Sequence, residues 1–331
     1  MKITIVGLGY WGPNLIRNFS ACDGVTEVGC FDLDEQRVNV VRRRFPHVRT
    51  FKSFEEILRS DHDGIALAVP ISQHHPLGMA AIAAGKHLLV EKPLAMSVRE
   101  CADLINEAAK HNRTLMVDHT FVYTGAVRKM KEIVERGEIG DVYYFDSVRV
   151  NLGLFQHDVN VLWDLAPHDL SIMDYVLGLQ PTGVSSLGMN HYNHMEDVAY
   201  LAVRFGDKIM GHVHVNWLSP VKIRRILIGG TKKMVLFDDM EPSEKVKVYD
   251  SGVRVVTREG IYKTLVEYRT GDMFAPKLDQ TEALSGVVRD FVNAMKTGQR
   301  PVSDGESGLR VVRILEGAEE SLKNGGKLIQ F

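Results

Sequence analysis

The first 120 residues alternate short apolar runs with stretches of helical periodicity, and this alternation constrains the fold more than any other feature of the sequence. The runs are almost unbroken, which is typical of parallel strands covered by helices on both faces of a sheet. Ser53 with Glu56 and Ser97 with Glu100 form capping boxes at two predicted helix starts. The sequence therefore predicts an α/β domain over residues 1–120, with strands at Ile3–Val6, Glu27–Phe31, Gly64–Val69, His87–Val90 and Thr114–Val117.

Beyond residue 120 the strand-like segments alternate in polarity, which predicts a second, α+β domain over residues 121–331 with a large, open, mostly antiparallel sheet. An open sheet leaves one face to be covered, so we expect a homodimer or homotetramer that assembles through it. Helices are predicted at 124–137, 164–178, 281–297 and 305–323, and strands at Val142–Val150, Ala199–Phe205, Ile209–Val215, Arg224–Ile228, Met234–Phe237, Val246–Tyr249 and Val253–Thr257.

The composition excludes several classes of partner. Forty basic and 42 acidic side chains give a formal net charge of −2, and no basic cluster is present, so we expect no nucleic-acid partner. No apolar run approaches the ~20 residues that cross a bilayer, so no membrane partner is expected either. The three widely spaced cysteines, Cys22, Cys30 and Cys101, and the lack of an export signal predict a reducing, cytoplasmic location.

A G-x-G-x-x-G motif directly follows the first predicted strand and opens a helix. Backbone amides and the helix N-terminus can hold a pyrophosphate there, where a Cβ would collide with it. Asp32 ends the second strand 20 residues after Gly12 and can accept hydrogen bonds from ribose hydroxyls. The pattern predicts a dinucleotide-binding Rossmann domain whose cofactor contacts include Gly7, Gly9, Tyr10, Trp11, Gly12 and Asp32.

The carboxylate of Asp32 also bears on which dinucleotide is bound. It would repel a 2′-phosphate, which favours NAD over NADP, although Arg37, Arg42 or Arg43 could offset that repulsion. The alternative interpretation is structural: the glycines make a tight turn, and Asp32 caps the following helix.

Two further motifs lie at predicted strand ends, where ligands of open α/β sheets bind. Pro70 and His74 form a P-x-x-x-H, and Glu91, Lys92 and Pro93 form an E-K-P. Together with the glycine motif they resemble the glucose–fructose oxidoreductase, inositol dehydrogenase and rhizopine-catabolism family. The resemblance places Lys92 between nicotinamide and substrate, puts Pro70, His74 and Glu91 beside the cofactor, and implies a cis peptide before Pro93.

The family's second motif, D-x-x-x-H at a helix start, is similar to the segment that holds Asp164 and His168. Their i, i+4 spacing puts both side chains on one helix face. The resemblance implies that His168 transfers a proton, that Asp164 orients it, and that Lys92 polarises the substrate hydroxyl. Which of Lys92 and His168 is the formal base stays open.

The resemblance covers the whole chain and is strongest to a subgroup that includes nucleotide-sugar dehydrogenases of the UDP-N-acetylglucosamine 3-dehydrogenase kind. It implies NAD-dependent oxidation of a secondary alcohol of a UDP-N-acetylhexosamine, at C3, to a ketone. It also places Arg149, Asn151 and Gly153 toward the substrate, with a plain strand end as the alternative. The competing functions are a dehydrogenase of a free sugar, inositol or sugar acid, and a non-catalytic regulator that senses NAD or sugar.

Two histidine groups raise the question of a metal site. His191, His194 and Glu196 straddle a predicted turn, and His212 and His214 share one face of a predicted strand. We predict no metal at either group. One departure from the family is Tyr123-Thr124-Gly125, where relatives commonly carry Asn-Pro, and it leaves the start of the helix at 124–137 less certain.

Overall fold

A computed structural model of the protein describes residues 1–153, 158–192, 194–257 and 265–331. The chain divides into two compact units, Met1–Tyr123 with Thr281–Arg313, and Thr124–Gln280 with Ile314–Phe331. The first boundary lies close to the predicted one at residue 120, but the return of residues 281–313 to the first unit was not predicted. This return has a packing reason, since the rings of Phe19 and Phe291 meet edge to face at 6.3 Å and both are fully buried.

The first unit is built on a six-stranded, wholly parallel sheet in the order β3-β2-β1-β4-β5-β6. This confirms the predicted parallel α/β fold; only the two-residue strand β3 was not predicted. The strands are β1 Lys2–Val6, β2 Glu27–Phe31, β3 Arg49–Thr50, β4 Gly64–Leu67, β5 His87–Glu91 and β6 Leu115–Asp118.

The second unit contains a nine-stranded sheet in the order β16-β13-β12-β11-β7-β10-β9-β8-β17. Its neighbours are antiparallel except β7 and β10, which run parallel, so the prediction of a mostly antiparallel sheet is confirmed. β14 and β15 form a separate two-stranded sheet, to which the predicted strand at 253–257 belongs. The strands are β7 Val142–Leu152, β8 Gly183–Met189, β9 Val198–Phe205, β10 Ile209–Asn216, β11 Leu218–Gly230, β12 Met234–Asp238, β13 Val246–Tyr249, β14 Gly252–Thr257, β15 Leu265–Arg269, β16 Met273–Phe274 and β17 Ile329–Gln330.

The helices begin close to where the sequence predicts. At both predicted capping boxes the serine half forms, because the Ser53 and Ser97 hydroxyls each accept a hydrogen bond at 3.2 Å from the amide three residues on. The Glu56 and Glu100 carboxylates accept hydrogen bonds from the amide of the residue before each serine, at 2.7 and 2.9 Å. No helix in the described ranges is long and apolar enough to cross a membrane. The helices are α1 Gly12–Ser20, α2 Glu35–Arg44, α3 Phe54–Arg59, α4 His74–Ala83, α5 Val98–Lys110, α6 Gly125–Glu135, α7 Val161–Leu177, α8 Ala283–Thr297 and α9 Gly305–Lys323.

The nine-stranded sheet has one covered and one open face. α7 packs on β7, β9 and β10, and the side chains on that face, such as Leu201 and Val213, are buried. Side chains of the opposite face include the exposed Leu187, Tyr200 and Met210. His212 and His214 lie on this open face and are half-buried, as the strand periodicity predicts.

Candidate active site

The glycine motif forms the loop between β1 and α1, and its glycines have different surroundings. A Cβ on Gly7 would lie 2.2 Å from the Ala68 carbonyl oxygen, and one on Gly12 would lie 2.3 Å from the Gly7 carbonyl oxygen. For a Cβ on Gly9, Arg37 Nη1 at 3.8 Å is the one atom within 4 Å among the described residues, apart from its chain neighbours. Two glycines therefore let backbone segments pack closely, while Gly9 leaves the open space that a pyrophosphate needs to approach the backbone.

Asp32 is held in place by the backbone on both sides. Its Oδ2 accepts a hydrogen bond from the Leu8 amide at 2.6 Å, and its Oδ1 accepts one from the Asp34 amide at 2.8 Å. Asp34, not Asp32, is the N-cap of α2, with its Oδ1 accepting from the Gln36 amide at 2.8 Å. The interpretation of Asp32 as a helix cap is therefore excluded.

Asp32 and Gly7 line a cavity of about 530 Å³, together with Pro70 and Arg37. Arg37 also lies 3.7 Å from Asp32 and 3.4 Å from Asp34, so its charge is shared with two carboxylates. An open glycine, a fixed carboxylate and a cavity at the carboxyl end of a parallel sheet fit the adenosine and pyrophosphate of a dinucleotide. Within the glycine loop, the rings of Tyr10 and Trp11 meet edge to face at 5.3 Å.

Lys92 directly follows β5, and the peptide bond between Lys92 and Pro93 is cis, as the family resemblance implies. The buried His74 connects this loop to the one after β4. Its Nδ1 lies 2.9 Å from the Pro93 carbonyl oxygen and its Nε2 lies 3.0 Å from that of Val69. Burial lowers the pKa of His74, an effect opposed by these carbonyls. His74 thus fixes the backbone beside Lys92; its contact with a cofactor stays a prediction.

Asp164 and His168 both lie on α7, which starts at the N-cap Asn160. The Trp217 indole donates a hydrogen bond from Nε1 to Asp164 Oδ2 at 3.1 Å. A Cβ on Gly153 would lie 2.7 Å from Trp217 Cδ1, so only glycine leaves room for this ring. The sequence did not predict Trp217 as a site residue, since a tryptophan 53 positions from its partner carries no local signal.

Arg149 forms a buried ion pair with Asp169, the residue after His168. Arg149 Nε lies 2.6 Å from Asp169 Oδ2 and Nη2 lies 3.1 Å from Oδ1, and both side chains are only 3% exposed. This geometry ties β7 to α7 beside His168. The expected contacts of Arg149, the half-buried Asn151 and Gly153 with substrate stay predictions.

Two of the four histidines considered for a metal site, His191 and His212, have a carboxylate partner. His191 Nδ1 lies 2.7 Å from Asp197 Oδ1, and His212 Nδ1 lies 2.7 Å from Asp146 Oδ1. In the part of the chain that the structure describes, no three histidine, cysteine, aspartate or glutamate side chains are grouped to hold a metal ion.

Known proteins resemble the chain over both units. Residues 1–119 match the model of an oxidoreductase family with an NAD-binding Rossmann fold, and residues 127–236 match the GFO/IDH/MocA C-terminal domain. UDP-N-acetylglucosamine 3-dehydrogenase of Acidithiobacillus ferrooxidans is 24% identical over 315 residues, 94% of each chain. Myo-inositol 2-dehydrogenase of Thermotoga maritima is 22% identical and covers 98% of this chain and 96% of its own.

Solved structures of other proteins also resemble this chain over almost its full length. The Acidithiobacillus enzyme has a TM-score of 0.81 at 21% identity, with 98% of each chain covered. An Agrobacterium radiobacter oxidoreductase in complex with NAD⁺, L-tartaric acid and magnesium has a TM-score of 0.83 at 17% identity, covering 100% of this chain and 98% of its own. With both of its domain models matched, this chain belongs to the glucose–fructose oxidoreductase, inositol dehydrogenase and rhizopine-catabolism family, as an oxidoreductase whose cofactor is NAD.

Proposed function

We propose that the protein oxidises a secondary alcohol of a nucleotide-activated sugar, of the UDP-N-acetylhexosamine kind and at C3, to a ketone. The observation that carries this proposal is the occurrence of Lys92, Asp164 and His168 in a chain that matches a UDP-N-acetylglucosamine 3-dehydrogenase over 94% of its length. Lys92 directly follows strand β5 of the parallel sheet, and Asp164 and His168 share a helix face in the second unit.

The proposed reaction divides its tasks among these residues. Bound NAD supplies a hydride acceptor. Lys92 donates a hydrogen bond to the reacting hydroxyl and so favours its ionisation, and His168 accepts the proton. Asp164, itself fixed by the Trp217 indole, orients the imidazole. In the alternative assignment Lys92, and not His168, is the base. Comparing the pH profiles of the Lys92→Met and His168→Asn variants distinguishes the two assignments.

Substrate identity is tested by turnover. The purified protein is incubated with NAD and UDP-N-acetylglucosamine, UDP-N-acetylgalactosamine, free N-acetylglucosamine or myo-inositol, and NADH absorbance is followed. We expect the UDP-sugars to give the highest kcat/KM, because contacts to the nucleotide and diphosphate supply binding energy that holds the reacting hydroxyl in place. A higher kcat/KM for a free sugar or inositol, with UDP-sugars inert, would overturn the nucleotide-sugar assignment.

Lys92→Met tests the chemical role. A positioned proton-transfer or polarising group supplies about 10²–10⁴-fold in rate, so single-turnover hydride transfer should slow by that order while NAD affinity stays nearly intact. Lys110→Met is the matched control, since the Lys110 side chain is 69% exposed. Unchanged turnover in Lys92→Met would show that Lys92 has no role in the reaction. An inert wild type that still binds NAD and a UDP-sugar would favour the alternative of a non-catalytic regulator.

We also propose that two copies of the chain associate through the open face of the nine-stranded sheet, as a homodimer or as half of a homotetramer. Three large side chains on this face, Leu187, Tyr200 and Met210, are 61%, 46% and 52% exposed. Covering them would remove apolar area from water. Sedimentation velocity should show the oligomer for the wild type and a smaller species for Leu187→Lys with Met210→Lys; a monomeric wild type would contradict this proposal.

A further inference from the structure

Two acidic side chains end neighbouring strands beside Lys92. Glu91 is the last residue of β5 and Asp118 the last of β6, and the two are partners in the parallel register. Neighbouring strands lie about 4.8 Å apart, and residues in register point to the same face, so the two carboxyl groups are neighbours. Asp118 is 2% exposed, and Glu91 Oε1 is shielded from solvent.

These carboxyl groups have few hydrogen-bond donors. Asp118 Oδ1 accepts a hydrogen bond from the Thr120 hydroxyl at 2.8 Å. Asp118 Oδ2 and Glu91 Oε1 have no hydrogen-bond partner within the described ranges. A buried carboxylate with so few donors is costly, and two adjacent ones also repel each other. Protonating one of them removes the repulsion and creates an O–H donor for the other.

The electrostatics of the pair agree with this geometry. Burial raises the pKa of Asp118 to about 6. Burial also raises the pKa of Glu91 well above its usual range, and the charge of Asp118 raises it further. Both shifts favour a state in which one member of the pair stays protonated.

The other ionisable groups nearby are Lys92 and three side chains on adjoining segments. The charge of Lys92 partly offsets the burial of Glu91. His119 is 2% exposed, with both ring nitrogens unpartnered in the described ranges, and burial lowers its pKa to about 3. Burial lowers the pKa of His74 as well. Asp304, which pairs with Met116 of β6, accepts hydrogen bonds from the Ser307 amide and is ion-paired with Arg300.

We propose that Glu91 and Asp118 hold a single proton between them and act together as positioning residues for Lys92. The pair then presents one negative charge next to the lysine, enough to orient its ammonium group. Loss of the last proton would double that charge and hold the ammonium group away from a substrate hydroxyl. This inference rests on the role of Lys92 under the proposed function, whereas the shared proton does not depend on it.

Infrared titration of the whole protein tests the shared proton without substrate. The wild type should show a protonated-carboxyl band at neutral pH that Glu91→Gln lacks, because Asp118 alone ionises near pH 6. In Asp118→Asn the band should titrate at least about one pH unit lower than in the wild type, since the repelling charge is gone. Glu135→Gln, at a side chain 61% exposed, is the control and should leave the band unchanged.

Kinetics test the positioning role with the same variants. The alkaline limb of the kcat profile should move to lower pH in Asp118→Asn by the shift seen in the infrared titration, and it should vanish in Glu91→Gln. NAD affinity in Asp118→Asn should stay within about threefold of the wild type. No protonated carboxyl at neutral pH would overturn the shared proton, and an unchanged kcat profile despite a shifted band would overturn the positioning role. If Lys92→Met keeps full turnover while the infrared results hold, the proposed function fails and the shared proton stands.

Discussion

Asp118 in the first unit and Asp169 in the second are both buried aspartates, yet their oxygens have different partners. Asp169 has each oxygen bound by the Arg149 guanidinium, at 2.6 and 3.1 Å. Asp118 has one oxygen bound by a hydroxyl and the other unpartnered in the described ranges. Burial alone favours the neutral carboxyl, while a bidentate guanidinium favours the charged one. Two aspartates at similar depth therefore differ in how well their partners compensate a negative charge.

The largest effect is expected when the cation that pairs with Asp169 is removed. Arg149→Met leaves the carboxylate buried without a partner, and we expect a loss of about 3–5 kcal/mol in the free energy of unfolding. Urea denaturation measures it. The double variant Arg149→Met with Asp169→Leu should recover much of the loss, because no unpaired charge is then buried. A single variant as stable as the wild type would show that Asp169 does not need its partner.

Asp118 should respond to pH in the opposite direction from a paired carboxylate. Its pKa is about 6 in the fold against an ordinary 3.8, so the folded state binds the proton more tightly between these values. Stability from this group is full below pH 3.8 and falls as pH rises through about 6, by at most about 3 kcal/mol. Asp118→Asn should lack this fall when unfolding free energies are measured across that range. Parallel curves for variant and wild type would contradict the raised pKa.

Asp32 is a third case. Like Asp118 it lies in the first unit, but each of its oxygens accepts a hydrogen bond from a backbone amide. Hydrogen bonds from ribose hydroxyls to this carboxylate should contribute about 1.5–3 kcal/mol. Asp32→Ala should weaken NAD binding roughly 10- to 150-fold and NADP binding much less, as measured by titration calorimetry. Equal losses for the two cofactors would remove Asp32 from the ribose site.

The smallest expected effect concerns the donor to Asp164. Trp217→Phe keeps an aromatic side chain beside Gly153 but removes the indole N–H at 3.1 Å from Asp164. One such hydrogen bond is worth about 1 kcal/mol, so kcat/KM should fall about fivefold at unchanged NAD affinity. Trp11→Phe in the glycine loop is the matched control, and there NAD affinity should respond more than kcat. A fall in stability of several kcal/mol in Trp217→Phe would indicate a packing role instead.

The sequence by itself determined the parts of the protein whose signals are local. Strand β2 was predicted residue for residue. Gly7 and Asp32 line one cavity, because a strand–turn–helix unit brings them together whatever the rest of the chain does, and their contact with a dinucleotide stays a prediction. The i, i+4 spacing likewise put Asp164 and His168 on one helix face.

Only the tertiary structure decided which partner each side chain received. No pattern in the sequence indicated that the Arg149 guanidinium is bound by Asp169 across the interface of β7 and α7, and its contact with substrate stays a prediction. Asp118 and His119 had no predicted role, since their burial depends on how β5 and β6 pair and on what covers their ends. Periodicity reports the face on which a residue lies, whereas hydrogen-bond partners and charge states are set by residues distant in the chain, such as Trp217 and Asp164, 53 positions apart.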